Sequence, residues 1–167
     1  DPSPSVVDWP QFRGPTGDGV SQATNLPLTW SSNQNVKWKS SVPGLGRSSP
    51  ILLGERIWLT TALTTNVRTF AAGPDRMQQA ERVVIGVVCL DRATGNQLYH
   101  TELFPVDNPP AVNALNSYAT PTPVVEPGRL YCDFGTFGTA CLDSDSGEVL
   151  WKRQLPLEHY QGPGISP

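Results

Sequence analysis

Long hydrophobic runs are missing from this 167-residue sequence; none approaches the roughly 20 apolar residues that cross a bilayer as a helix. Charge of one sign is scarce as well, with 12 Lys+Arg against 15 Asp+Glu and a formal net charge of −3. No basic stripe interleaved with aromatics occurs, which argues against nucleic acid and anionic membrane surfaces as partners. Charged residues make up only 16%, too few for a coiled coil or a charged disordered tail. There are 2 His and 3 Cys, with no C-x-x-C, H-E-x-x-H or G-x-S-x-G arrangement, so zinc, thioredoxin-type redox and hydrolase signatures are absent. The opening D-P-S-P-S-V-V-D-W-P has neither the basic start nor the apolar stretch of a secretory leader. Such a polar beginning is what leader removal leaves, and equally what an arbitrary boundary leaves.

Proline and glycine are plentiful. The 17 Pro and 15 Gly form close to a fifth of the chain, which excludes a helical bundle and predicts a compact all-β protein with many tight turns. An internal repeat organises it. Residues 88–99, V-C-L-D-R-A-T-G-N-Q-L-Y, superpose on 140–151, A-C-L-D-S-D-S-G-E-V-L-W, aligning Asp91, Gly95 and Tyr99 with Asp143, Gly147 and Trp151 at a spacing of 52. Upstream, 48–59, S-S-P-I-L-L-G-E-R-I-W-L, matches 121–132, P-T-P-V-V-E-P-G-R-L-Y-C, at a spacing of 73. The first copy is therefore longer, with the surplus at 63–82. That stretch is polar, lacks β alternation and is expected to form a surface loop holding one short helical turn at Met77–Arg82.

Each copy predicts four short antiparallel strands. In the second these are Thr122–Glu126, Arg129–Phe134, Thr139–Leu142 and Glu148–Leu155, separated by Pro127-Gly128, G-T-F-G (135–138) and the Asp143–Gly147 turn. The first gives Pro50–Leu53, Arg56–Thr61, Val83–Leu90 and Gln97–Phe104. Four-stranded meanders in series are the pattern of propeller blades. Residues 1–35 then form an N-terminal extension and 36–44, V-K-W-K-S-S-V-P-G, an outer strand lacking its inner partners. Residues 45–105 form the first blade, 106–160 the second with a long leading loop at 106–120, and 161–167 the start of a third. Since propellers close with four to eight blades, the chain is expected to be an incomplete segment of a longer polypeptide. Strand 36–44 would complete the last blade and close the ring non-covalently.

The motif A-C-L-D-S-D-S-G-E-V-L-W resembles the tryptophan-docking repeat A-x-D-x-x-T-G-x-x-x-W of pyrroloquinoline-quinone-type β-propellers, a group that includes quinoprotein alcohol dehydrogenases and the propeller lipoprotein of outer-membrane protein assembly. The first copy departs from it by ending in Tyr99. The stretches W-P-Q-F-R-G-P-T-G-D-G-V-S (9–21), L-P-L-T-W (26–30), G-R-S-S-P (46–50) and F-G-T-F-G-T-A-C-L-D (134–143) are similar to secreted bacterial quinoprotein-like propellers. The resemblance spans roughly 9–167 and implies fold more than activity, because such repeats encode blade packing. Tyr99, Trp151, Trp38 and Trp58 are accordingly assigned to packing between blades, where a buried aromatic covers about 150–250 Å². The resemblance also implies a secreted or periplasmic location, with the remaining blades of the same polypeptide as partners.

The cofactor remains open. A dehydrogenase of this family needs a quinone, calcium held by acidic and amide side chains, a base Asp and, in many members, a disulfide between adjacent cysteines; no adjacent cysteines occur here. D-S-D-S-G (143–147) superficially resembles a calcium loop, but its twelfth position is Gln154 rather than a bidentate Glu. No metal site is therefore assigned. If G-T-F-G closes its hairpin symmetrically, Cys132 opposes Cys141, near disulfide range; a cross-strand disulfide and two free buried thiols are both compatible with that. Cys89 has no partner. The best ligand surface is the loop 106–120, contributing Asn113, Asn116, Ser117 and Tyr118, with Arg47 from the corresponding loop of the first copy. Three functions are compatible with these features: a binding or assembly scaffold in the cell envelope, contacting an envelope protein or small ligand without catalysis; part of a quinone-dependent dehydrogenase using pyrroloquinoline quinone and calcium; or a carbohydrate- or peptide-binding propeller using 63–82 and 106–120.

Overall fold

The computed structural model describes residues 8–24 and 26–154, and these are all-β, with antiparallel sheets and one short 3-10 turn at Gly135–Phe137. The first sheet contains β1 (Ile51–Leu53), β2 (Arg56–Thr65), β5 (Arg82–Asp91) and β6 (Gln97–Asp107), in the order β1-β2-β5-β6. The second contains β8 (Val124–Glu126), β9 (Arg129–Asp133), β10 (Thr139–Leu142) and β11 (Val149–Arg153), paired consecutively. The meanders expected from both repeat copies are therefore present, and turns such as Pro127-Gly128 fall where strand-incompatible residues end each run. Among the described residues no helix is long and apolar enough to cross a membrane.

One hydrophobic cluster joins the two four-stranded sheets. It takes Ile51, Trp58, Val83, Ile85, Val87, Cys89 and Leu103 from the first and Val125, Leu130, Cys132, Ala140 and Leu142 from the second. Because alternate residues of a strand point to opposite faces, the even-numbered Leu130, Cys132, Ala140 and Leu142 turn towards the first sheet and Tyr131, Cys141 and Trp151 turn away. The register makes the two copies equivalent in detail. Trp58 pairs with Cys89 and Cys89 with Tyr99 in the first sheet; Tyr131 pairs with Cys141 and Cys141 with Trp151 in the second. Each sheet thus carries an aromatic–cysteine–aromatic row, with Trp and Tyr exchanged between its ends. The N-terminal segment fastens the narrow edge of both sheets: Trp9 exchanges two backbone hydrogen bonds of 2.8 Å with Leu52, and Pro10 accepts one of 2.9 Å from Val125.

Three expectations need correction. The 63–82 stretch is not a loop with a helical turn: Leu63–Thr65 continues β2, and β3 (Arg68–Ala72) pairs with β4 (Asp75–Gln79) in a hairpin. The ladder continues through Thr65↔Arg82, so the local helical tendency at Met77–Arg82 loses to pairing with neighbours. β4 also pairs with β7 (Val112–Asn113), forming a third, three-stranded sheet. Second, Val36–Gly44 forms no strand. A strand persists through its ladder, and this segment holds the first sheet by other means: the Trp38 indole donates to the Arg92 carbonyl at 2.9 Å, the Thr61 hydroxyl donates to the Pro43 carbonyl, and Leu45 bridges Ala62.

Third, Cys132 does not face Cys141. The 3-10 turn makes Asp133 the partner of Thr139 and Cys132 the partner of Ala140, one residue away from the symmetric closure, and a one-residue slip reverses the face of every side chain. All three cysteines are free and buried; burial pushes the Cys89 thiol up to about 11 and raises that of Cys132 further. Residues 161–167, expected to begin a third copy, lie outside the described residues, as do Leu155, His159 and the end of the 106–160 unit. Intact-mass analysis without reductant is expected to show no alkylation of native protein and three modified cysteines after denaturation; a single modified cysteine would mean that a bridge exists.

Candidate functional site

Two turns carry the contacts that tie one layer to the next. Asp91 Oδ1 accepts bonds from the Thr94 amide (2.7 Å) and hydroxyl (2.6 Å). At the equivalent turn Asp143 Oδ1 accepts from the Asp145 amide (3.0 Å) and from the Ser146 amide (2.8 Å) and hydroxyl (2.9 Å). These bonds favour the carboxylate form, so both acids lie below the ordinary carboxyl range; the Thr94 hydroxyl contributes most at Asp91 and the Ser146 amide at Asp143. Each turn then needs a left-handed residue, and Gly95 and Gly147 both have φ +74°.

The missing glycine side chain has a second use, because an aromatic ring lies there. Tyr99 occupies the space above Gly147, its nearest ring atom 2.5 Å from where a Cβ would be, and Trp38 lies equally tightly on Gly95. The polar ends follow the same rule. The Trp38 indole donates to Arg92, and the Tyr99 hydroxyl donates to the equivalent carbonyl of Ser144 at 3.0 Å. Tyr99 also accepts from the Trp58 indole at 2.7 Å, which a Trp at position 99 would not do. Burial raises its phenol, keeping the proton it donates. Thr101 donates to the Gly147 carbonyl at 2.9 Å and Arg56 forms an ion pair with Asp145; the ion pair is largely exposed and adds little. Asp91, Gly95, Tyr99, Asp143 and Gly147 thus act as packing residues. Trp151 is half-buried beside Tyr131, with ring centroids 6.5 Å apart.

The proposed ligand surface divides on inspection. Tyr118 is buried, accepts from the Ala80 amide at 3.2 Å and donates to the Pro110 carbonyl at 3.0 Å. Ser117 is buried too, its hydroxyl accepting the Ala119 amide at 3.1 Å. Both are structural. Asn113 is half-buried and holds the Leu115 amide at 2.9 Å, and the Asn116 carbonyl receives Gln78 at 2.8 Å. Arg47 is exposed, and its amide donates to the Ala119 carbonyl at 2.9 Å. The polar composition of the loop predicts an open surface, but the Asn116 carbonyl and the Tyr118 hydroxyl are engaged by Gln78 of the β3–β4 hairpin and by Ala80 just after it, far away in sequence. The polar side chains gathered at this end are instead Asn66, Arg68, Gln79, Glu81 and Asn108. Their sequence signals were weak: asparagines at Asn66 and Asn108, both with left-handed φ near +49° and +48°.

Among the described residues no group of three or more His, Cys, Asp or Glu side chains is gathered to hold a metal ion. In the calcium-like loop, Asp143 Oδ1 accepts three hydrogen bonds from its own turn. His100 is half-buried on β6, paired with Val88. No family model matches the chain, and no curated protein matches it.

Gly147→Ala is expected to cost about 3 kcal/mol or more, from left-handed strain plus overlap with Tyr99. Gly54→Ala has a similar φ of +57° with no atom within 4 Å and should cost about 1 kcal/mol; equal losses in denaturant unfolding would refute the docking role. The pH dependence has a definite sign. Depressed folded values at Asp91 and Asp143 mean stability that is present above the unfolded carboxyl value of about 3.9 and lost as the pH falls below it. Asp143→Asn should flatten that acid limb in thermal unfolding.

Proposed function

We propose that the chain is an arc of a quinoprotein-like β-propeller, with the two four-stranded meanders as successive blades, and that it serves as a binding or assembly scaffold in the cell envelope, secreted or periplasmic. The observation that carries this reading is the repeated aromatic-on-glycine contact, Trp38 on Gly95 and Tyr99 on Gly147, made in the same direction from layer to layer. Segment 36–44 acts as part of a preceding layer through Trp38, and Trp151 is the next ring in the series, awaiting a glycine turn from a following blade. Packing of β1 against β8, the first strand of each meander, is what a radial arrangement requires.

A scaffold fits better than an enzyme because the polar groups of the repeat are consumed in holding turns and layers. The partner is an envelope protein or small ligand meeting the loop-bearing end. In the parent polypeptide, a crystal structure should place successive sheets radially about an axis with Trp151 over a glycine turn; a closed sandwich would overturn the reading. Titration with pyrroloquinoline quinone and calcium, followed by dye-linked alcohol oxidation, should give neither saturable binding nor turnover, and turnover would establish the dehydrogenase instead.

A further inference from the structure

The inserted hairpin creates a cleft of about 310 Å³ where it leaves the first sheet, lined by Asn66, Arg68, Gln79, Ala80, Glu81 and Asn108. Its volume lies at the lower end of small-ligand sites. The walls are held from behind: the Glu81 amide donates to Thr65 at 3.0 Å, the Asn108 amide to Glu81 at 2.7 Å and the Ala80 amide to Tyr118 at 3.2 Å. The side chains are held partly too. Asn66 donates to Glu81 at 2.7 Å, Arg68 to Gln79 at 2.6 Å, and Gln79 to the Pro109 carbonyl at 2.8 Å. Asn66 and Asn108 sit in left-handed backbone, which aims both carboxamides from tight turns. Among the described residues no hydrogen bond engages the Asn108 side chain.

The chemistry is specific in kind. Five planar polar side chains present both donors and acceptors at close spacing, while the single Arg and single Glu cancel, so neither an anion nor a cation is favoured. Beside the cleft, Phe70 and Met77 are directly opposed partners on the hairpin face that carries Arg68 and Gln79, and Phe70 is 40% exposed. A ring with the Arg68 guanidinium 5.8 Å over its centroid, next to convergent polar groups of no net charge, suits a ligand with hydroxyls around its edge and C–H bonds on its face. We propose that this cleft binds a neutral saccharide, with Asn66, Gln79, Glu81 and Asn108 bonding its hydroxyls and Phe70 receiving the face of the sugar. The site lies entirely within the first sheet, its hairpin and the following loop, so it stands independently of the propeller reading.

The test is an NMR titration of the isotope-labelled chain with cellobiose, maltose, lactose and N,N′-diacetylchitobiose, with inorganic phosphate and free glutamate as charged controls. At least one disaccharide should give saturable shifts at the side-chain amides of Asn66, Gln79 and Asn108, with half-saturation in about the millimolar range, while the controls give none. Asn108→Gly keeps the left-handed backbone and deletes only the carboxamide; it should weaken that binding about tenfold at unchanged unfolding midpoint. Absence of saturation by all four sugars, equal response to phosphate or glutamate, or full affinity in Asn108→Gly would overturn the proposal.

Discussion

The two four-stranded sheets depend on rings that fill the space of missing side chains. A turn that needs φ near +74° selects glycine at 95 and 147, and glycine leaves a flat patch of backbone exposed. Tyr99 covers one such patch and Trp38 the other, each sending one hydrogen bond to the carbonyl beside it. Neither component suffices alone: without the ring the turn is an exposed hairpin end, and without the glycine the ring has no seat. The contact couples a local conformational demand to the assembly of layers, which is why the repeat contains both an Asp-to-Gly turn and a terminal aromatic.

Much of this was legible from residues. The two repeat spacings located eight strands to within a few positions, because Pro-Gly, Asp and Gly interrupt β-branched runs at points no strand tolerates. The repeat also places Asp143 in its turn, where Oδ1 accepts the turn's own amides. Long-range pairing was not legible. The 63–82 stretch has little alternation of its own, and its strands exist through partners in β2, β5 and β7. The register of β9 with β10 depended on whether residues 134–138 close symmetrically or through a 3-10 turn, a local choice that moves Cys132 to the opposite face from Cys141.

The surroundings of the candidate ligand surface were hidden on the same ground. Polar composition at 106–120 predicted a surface open to ligand, yet Tyr118 and Ser117 are buried because the hairpin folds over them. A polar side chain facing another segment's backbone is indistinguishable in sequence from one facing water. What remains free among the described residues lies one layer out, at the root of the hairpin, where Asn108 in left-handed backbone keeps its carboxamide unspent. The insertion thus does two things at once, closing one surface and opening another.

The short N-terminal clamp formed by Trp9 and Pro10 sets a direction on any enlargement of the molecule. An unpaired strand margin is a template on which a foreign extended chain can grow, and many β proteins must disfigure theirs to stay soluble. Here the amide and carbonyl of Leu52 and the amide of Val125 are already occupied by residues of the same chain. Lateral recruitment at that margin is blocked, while the broad flank bearing Tyr131 and Trp151 keeps its aromatics half open. A foreign strand is thereby left the opposite margins, at β6 and β11, which each pair with a single strand among the described residues.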